Sequence, residues 1–93
     1  KARLEAGEVQ LVDVREPGEW RSGHLKHAKS VPLSTLRSGV KPKLDKKKPV
    51  YLHCRSGSRV RMAKPILEGM GFTEVHALGA GYSTLVAKGF ERA

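Results

Sequence analysis

The chain has little cysteine, few aromatic residues and no long hydrophobic run. Its 93 residues include one cysteine, one tryptophan, two tyrosines and two phenylalanines. A single cysteine excludes a disulfide within the chain and a zinc site made only of cysteines. No apolar run approaches the ~20 residues that a membrane-spanning helix needs. The core must therefore come from Val, Leu, Ile and Ala, and we expect no membrane partner.

Length and composition indicate one small globular domain, which we expect to span residues 1–93. Hydrophobic residues make up 39% of the chain and charged residues 29%, a balance typical of folded proteins. The first residues look like the end of a helix and not like a signal peptide. We therefore expect a cytoplasmic protein, monomeric or weakly dimeric; a periplasmic location would require that a leader had been removed.

The formal net charge of +9 is concentrated in one basic stretch, opposed there only by Asp45. The simplest interpretation is a solvated loop that keeps a small domain soluble. A field that attracts small anions is a second interpretation. Nucleic-acid binding is disfavoured, because no aromatic and basic platform accompanies the charge. The stretch contains Arg37, Lys41, Lys43, Lys46, Lys47 and Lys48.

Short apolar runs rich in Val and Leu predict buried strands at Leu11–Val14, Val50–His53 and Glu74–Leu78. A fourth, shorter strand is predicted at Ala28–Val31. Helix candidates lie between these runs. Alternating strands and helices predict an α/β fold with a parallel sheet covered on both faces. Ligands of such sheets bind beyond the carboxyl ends of the strands.

The clearest helix is predicted from Ser58 to Met70 and is stopped by Gly71. An apolar stripe at spacings of three and four supports it, and Pro65 predicts a kink or a tightened first turn. The stripe consists of Val60, Ala63, Leu67 and Met70. Shorter helices are predicted at Pro17–Ser22, at Leu33–Leu36 with Ser34 as a cap, and after Gly81.

Cys54 stands directly after the apolar run Val50–His53 and shortly before this helix. The segment Cys54-Arg55-Ser56-Gly57-Ser58-Arg59 offers turn N–H groups, a helix N-terminus and two guanidinium groups. All of these favour a thiolate over a thiol. The pattern predicts a nucleophilic cysteine, and it requires a sulfur that solvent can reach. The alternative is a buried structural thiol.

The spacing from Cys54 to Arg59 is C-x4-R. A protein tyrosine phosphatase needs C-x5-R to wrap a phosphate, and Val60 occupies the position where its arginine would stand. The shorter loop makes a tighter cradle, which suits a single sulfur atom better than a tetrahedral phosphate.

Three signatures in the correct order resemble the rhodanese family over nearly the whole chain. The cysteine loop is the second of them. The first is Val12-Asp13-Val14-Arg15-Glu16 with Glu19-Trp20, Gly23-His24-Leu25, Ala28 and Val31-Pro32, and the third is Gly71-Phe72 with Val75 and Leu78.

The resemblance implies a small, doubly wound, mostly parallel sheet of four to five strands with helices on both faces. It also implies a sulfurtransferase in which Cys54 carries a persulfide. On this resemblance, the donor would be thiosulfate or a related anion, the acceptor would be cyanide, a small thiol or a protein thiol, and no metal or cofactor would be needed. Arg55 and Arg59 would bind the donor, and Ser56, Gly57 and Ser58 would supply backbone N–H groups. Arg59 could instead point outward and pair with a carboxylate.

Two other functions stay open. A rhodanese-like scaffold can serve as a binding or regulatory module without catalysis. A cysteine-dependent phosphatase or arsenate reductase would also use a thiolate loop, although the loop length argues against it. Formation of a persulfide would separate the enzyme from the module.

Several polar and aromatic residues have structural interpretations. Asp13 should accept hydrogen bonds near the cysteine loop, with Arg15 as one partner, because a buried charge needs partners. Trp20 should pack in the core, and His24 should hydrogen-bond backbone groups in a turn. His53 should pack or meet solvent. A zinc site built from the histidines is disfavoured, since their spacing matches no known ligand pattern.

Overall fold

A computed structural model describes residues 2–55 and 57–93. Helices and strands alternate along nearly the whole chain, as the hydrophobic pattern predicts. The elements are α1 (Ala2–Glu5), β1 (Gln10–Asp13), α2 (Pro17–Ser22), β2 (Ala28–Ser30), α3 (Leu33–Arg37), β3 (Val50–His53), α4 (Ser58–Gly69), β4 (Val75–Ala77) and α5 (Tyr82–Ala87). In these ranges no helix has the length and apolar character needed to cross a membrane.

The four strands form one parallel sheet in the order β2-β1-β3-β4. The predicted α/β fold is confirmed. The two central strands, β1 and β3, are aligned so that Asp13 is the register partner of His53. The carboxyl ends of both strands therefore meet at one edge of the sheet, where Cys54 follows His53.

The alternation of side chains along β1 divides the core between the two faces of the sheet. Val12 and Val14 belong to the larger cluster, with residues of α3 and α4, whereas Leu11 belongs to a smaller cluster with Leu25 and Leu85. A strand points successive side chains to opposite faces, so both faces of β1 are buried. Helices cover both faces, as predicted.

The long helix α4 keeps Pro65 inside its span of 12 residues. Val60, Ala63 and Leu67 are buried on its inner face. The predicted stop is confirmed, because Gly71 has a φ of +101°, a conformation that glycine adopts without a steric penalty. Helix α4 thus runs from the cysteine loop to the turn before β4.

The predicted capping role of Ser34 is wrong. Pro32 occupies the N-cap position of α3, with a φ of −57°, and Ser34 lies inside the first turn. The Ser34 hydroxyl instead donates to Glu16 Oε1 at 2.7 Å. A proline already fixes the backbone at the helix entrance, which leaves the serine hydroxyl for a contact with Glu16, the residue before α2.

A buried ion pair holds the carboxyl end of β1. Asp13 accepts four hydrogen bonds from Arg15, one from its backbone N–H and three from its guanidinium, at 2.8–3.0 Å. Arg15 Nη2 also donates to the Gly23 carbonyl at 2.6 Å, and the guanidinium lies 4.3 Å from the centre of the Tyr82 ring. The structural interpretation of Asp13 is confirmed.

Replacing Asp13 should destabilise the fold strongly. Asp13→Asn leaves the buried Arg15 without its carboxylate, and we expect a loss of about 3 kcal/mol or more in the free energy of unfolding. Urea denaturation measures this. Asp45→Asn is the matched control, since Asp45 is exposed and should lose less than about 0.5 kcal/mol. Equal losses for the two variants would contradict the role given to the pair.

Candidate active site

The cysteine loop joins the end of β3 to the start of α4. Gly57 precedes α4 with a φ of +89° and a ψ of −5°, in the left-handed region that glycine favours. This conformation turns the Gly57 N–H back toward the loop, where it donates to Cys54 Sγ at 3.0 Å. An amide aimed at sulfur stabilises negative charge on that atom. The predicted contact between the loop backbone and the sulfur is present at Gly57.

The expectation of a solvent-accessible sulfur is wrong for this structure. Cys54 has 0% exposure and belongs to the larger core cluster. Cys54 and Gly57 lie against the chain around the start of α5. A Cβ on Gly57 would lie 3.1 Å from the Gly79 carbonyl oxygen, and the Tyr82 N–H donates to the Cys54 carbonyl at 2.9 Å.

The other predicted site residues occupy different surroundings. Arg55 and Ser58 are exposed on either side of the buried Gly57. Ser56 lies outside the described residues. The Arg55 carbonyl oxygen is packed so tightly against Gly81 that a Cβ there would overlap it. The donor-binding roles of Arg55, Ser56 and Ser58 stay predictions.

Arg59 forms an ion pair with Glu19 of α2. Its Nη2 donates to Glu19 Oε2 at 2.9 Å and its Nη1 donates to Oε1. The side chains are 24% and 31% exposed, respectively. The structure therefore shows the second arrangement expected for Arg59, a pairing with a carboxylate, and its role in donor binding stays a prediction.

Charge and hydrogen bonding explain the titration of this pair. The hydrogen bond from Arg59 lowers the pKa of Glu19 from 4.5 to about 2, against the opposing effect of burial. The bond to Glu19 likewise raises the pKa of Arg59, and the nearby Cys54 adds to that shift.

The sequence analysis did not assign Glu19 to the site. The residue belongs to one of the rhodanese signatures, but no local spacing connects it to an arginine 40 positions away. One available signal was the shortage of acidic residues, nine against eighteen Lys and Arg. In such a chain, few carboxylates are available to pair with an arginine of the cysteine loop.

His53 lies directly before Cys54 and is fully buried. Its Nε2 is 3.9 Å from Asp13 Oδ2, and neither ring nitrogen reaches hydrogen-bond geometry with a described residue. Burial lowers the pKa of His53, while Asp13 and the nearby Cys54 backbone oppose the shift. Of the two locations expected for this histidine, the structure shows packing and not solvent.

The aromatic pair at the end of α2 only partly matches expectation. His24 Nδ1 lies 2.9 Å from the Trp20 carbonyl oxygen, so the predicted backbone contact of His24 is confirmed. Trp20 is half-buried and stacks on the His24 ring at 3.7 Å. The prediction that Trp20 packs in the core is wrong, because the residue belongs to neither core cluster and its ring stacks on a half-buried histidine. In the described part of the chain, no group of three His, Cys, Asp or Glu side chains could hold a metal ion.

The close approach at Gly81 yields a stability prediction. Gly81→Ala places a methyl group into the Arg55 carbonyl, and we expect the free energy of unfolding to fall by about 3 kcal/mol. Gly69→Ala is the control. Nothing lies within 4 Å of a Cβ there, and alanine at this helical position should stabilise by roughly 0.5–1 kcal/mol. Chemical denaturation of both variants measures the contrast, and a neutral Gly81→Ala would contradict the packing.

The Glu19–Arg59 pair should contribute stability that disappears in acid. The pKa of Glu19 falls from 4.5 to about 2 on folding. The contribution is therefore complete above the unfolded value and is lost as the pH falls through the folded one. We expect the difference in unfolding free energy between the wild type and Glu19→Gln to shrink steadily over that window.

Denaturation at a series of pH values measures this difference, and Glu68→Gln, at an exposed position of α4, is the control. A difference in unfolding free energy between the wild type and Glu19→Gln that stays constant down to the lowest pH would exclude the pairing of Glu19 with Arg59 in solution.

Comparisons with known proteins identify the family. A family model described as "Rhodanese-like domain" matches residues 1–88. The Bacillus subtilis (strain 168) protein YqhL is 40% identical over 74 residues, which are 80% of this chain and 58% of that protein. Thiosulfate sulfurtransferase PspE of Escherichia coli (strain K12) is 32% identical over 69 residues, 73% of this chain and 66% of that protein. The chain thus spans less than two thirds of the length of either relative.

A comparison of folds also finds solved structures of rhodanese-like domains. The crystal structure of the Alr3790 protein from Anabaena sp. superposes with a TM-score of 0.83 and 26% sequence identity, covering 99% of this chain and 73% of that one. The match to the family model covers nearly the whole chain, and the cysteine loop lies where the signatures place it. The chain therefore belongs to the rhodanese-like domain family.

Proposed function

We propose that this chain is a sulfurtransferase that moves a sulfane sulfur from thiosulfate or a related anionic donor to a thiol or cyanide. Cys54 would carry the sulfur as a persulfide. The observation that carries the proposal is the Gly57 N–H directed at Cys54 Sγ at 3.0 Å. Membership of the rhodanese-like family and the likeness to a relative named thiosulfate sulfurtransferase support it.

The reaction is a double displacement at sulfur. The Cys54 thiolate attacks the outer sulfur of thiosulfate, a Cys–S–S bond forms, and the S–S bond of thiosulfate breaks. Sulfite leaves with the electron pair of that bond. Cyanide or a thiolate then attacks the outer sulfur of the persulfide, takes it away as thiocyanate or a new persulfide, and restores the Cys54 thiolate.

The loop backbone would assist both steps. The Gly57 N–H can donate to negative charge on Cys54 sulfur before and after each transfer, and such a donor is already in position when the charge develops. Arg55, exposed beside the loop, would meet an incoming oxyanion first. A guanidinium matches the oxygen geometry of sulfite and thiosulfate.

Burial of Cys54 imposes one requirement on this function. Because the residue has 0% exposure, the donor can reach the sulfur only if the loop moves outward. We place the protein in the cytoplasm, as a monomer or weak dimer, where reducing conditions keep a lone cysteine as a thiol. The acceptor would be a small thiol or a thiol of another protein.

The same burial supports a second candidate function, a rhodanese-like binding module without sulfur transfer. In that case Cys54 would be a core side chain whose sulfur fills space beneath the loop. The two functions differ in whether the sulfur of the folded protein reacts.

Thiosulfate treatment followed by intact-mass measurement separates them. We expect the wild type to gain the mass of one sulfur atom on Cys54 and to release thiocyanate when cyanide is added. Cys54→Ser should lose both signals and stay folded, as judged by circular dichroism, because serine closely matches cysteine in shape. Sulfate in place of thiosulfate is the control for anion binding without sulfur transfer.

A folded wild type that gains no mass, and whose Cys54 resists alkylation by iodoacetamide until the protein is denatured, would refute the sulfurtransferase in favour of the binding module.

A further inference from the structure

The Glu19 carboxylate is bound to the guanidinium of Arg59, the last residue of the cysteine loop segment. Both Arg59 Nη atoms donate to the Glu19 carboxylate, one to each oxygen. A guanidinium has five N–H donors in a fixed fork, so two parallel bonds to a carboxylate use the arrangement that best fits an oxyanion. The positive charge of Arg59 is therefore already compensated.

The Glu19 carboxylate is held in place from its own helix as well. Its Oε1 accepts the Glu16 backbone N–H at 3.1 Å, and the two glutamates form a reciprocal capping box at the start of α2. Glu16 in turn accepts the Ser34 hydroxyl at 2.7 Å. Glu19 is thus a positioned anion beside the cysteine loop and not a mobile surface side chain.

A doubly charged donor that used Arg59 would face two obstacles here. It would have to replace Glu19 at the guanidinium or bind the remaining N–H groups, and it would do so beside a fixed negative charge. Both effects weaken binding, and the electrostatic one grows with the charge of the ligand.

We propose that Glu19 is a specificity-determining residue, whose carboxylate competes with anionic sulfur donors for Arg59 and disfavours dianions relative to monoanions. The inference rests on the proposed function in taking Arg59 to be part of the donor site. It goes beyond that function in assigning a role to a residue of α2 outside the cysteine loop.

The low pKa of Glu19, about 2, has a consequence for this competition. The carboxylate stays ionised throughout the neutral and mildly acidic range, so protonation of Glu19 does not remove its competition with the donor. Glu19 should therefore impose the same selection across the neutral and mildly acidic range.

Replacement of Glu19 by glutamine tests the proposal. Glu19→Gln keeps the shape of the side chain and removes its charge. We expect the affinity for thiosulfate, a dianion, to rise about fivefold, and that for methanethiosulfonate, a monoanion, about twofold. Raising the ionic strength should reduce both gains. Glu68→Gln makes the same change of net charge at an exposed site on α4 and should change neither affinity.

Two further variants distinguish competition for Arg59 from a general loosening of the cysteine loop. Glu19→Asp retains the charge while it shortens the side chain, and it should keep affinities close to those of the wild type. In an Arg59→Ala background, the thiosulfate gain from Glu19→Gln should be clearly smaller than fivefold, because the competition for the guanidinium is gone and only the repulsion by the Glu19 charge remains.

Isothermal titration calorimetry on Cys54→Ser proteins gives the affinities without any reaction, and steady-state KM values on proteins with Cys54 give them during turnover.

An unchanged or weaker thiosulfate affinity in Glu19→Gln overturns the inference, as does an equal gain in affinity for the two donors or a full gain in the Arg59→Ala background. If no persulfide forms on the wild type but the calorimetric gain appears, the proposed function fails and the competition at Arg59 stands. If sulfur transfer occurs without the gain, only the inference fails.

Discussion

The buried pair between Asp13 and Arg15 is the interaction on which the arrangement around the cysteine loop depends. Asp13 ends β1 beside the end of β3, and its carboxylate is wholly occupied by Arg15. The same guanidinium reaches the Gly23 carbonyl and the Tyr82 ring. One arginine thereby connects the central strand, the turn after α2 and the start of α5. A buried charge pair needs this number of contacts to offset the loss of hydration.

These contacts extend to the sulfur through the backbone. Tyr82, which lies under the Arg15 guanidinium, donates its N–H to the Cys54 carbonyl. The chain before α5 then packs on the loop so closely that only glycine fits at position 81. Gly57 supplies the reverse turn that brings an N–H to Sγ. The sulfur is therefore held between a rigid sheet edge and a segment with almost no side chains, which accounts for both its burial and its amide donor.

Short-range patterns predicted most of the fold because they reflect short-range physics. Runs such as Val50–His53 alternate between two buried faces, and the stripe on α4 follows the helical repeat; both appear in the structure at the predicted positions. The errors concern side chains whose surroundings come from distant segments. Ser34 matched a capping pattern, but Pro32 occupies the N-cap position of α3, and the Ser34 hydroxyl donates to Glu16. Trp20 was expected in the core because it is a large aromatic residue, and it instead stacks on the His24 ring near the surface.

By itself, the sequence determined the order and kind of the elements, the position of Cys54 at a strand end, and the glycine that turns the loop. Each of these follows from spacing within a few residues, where hydrophobic periodicity and backbone preference act directly. Only the tertiary structure decided that the sulfur is covered and that Arg59 is bound by Glu19, 40 positions away. Burial and ion pairing depend on which chain segments meet after the sheet has formed, and no local pattern carries that information.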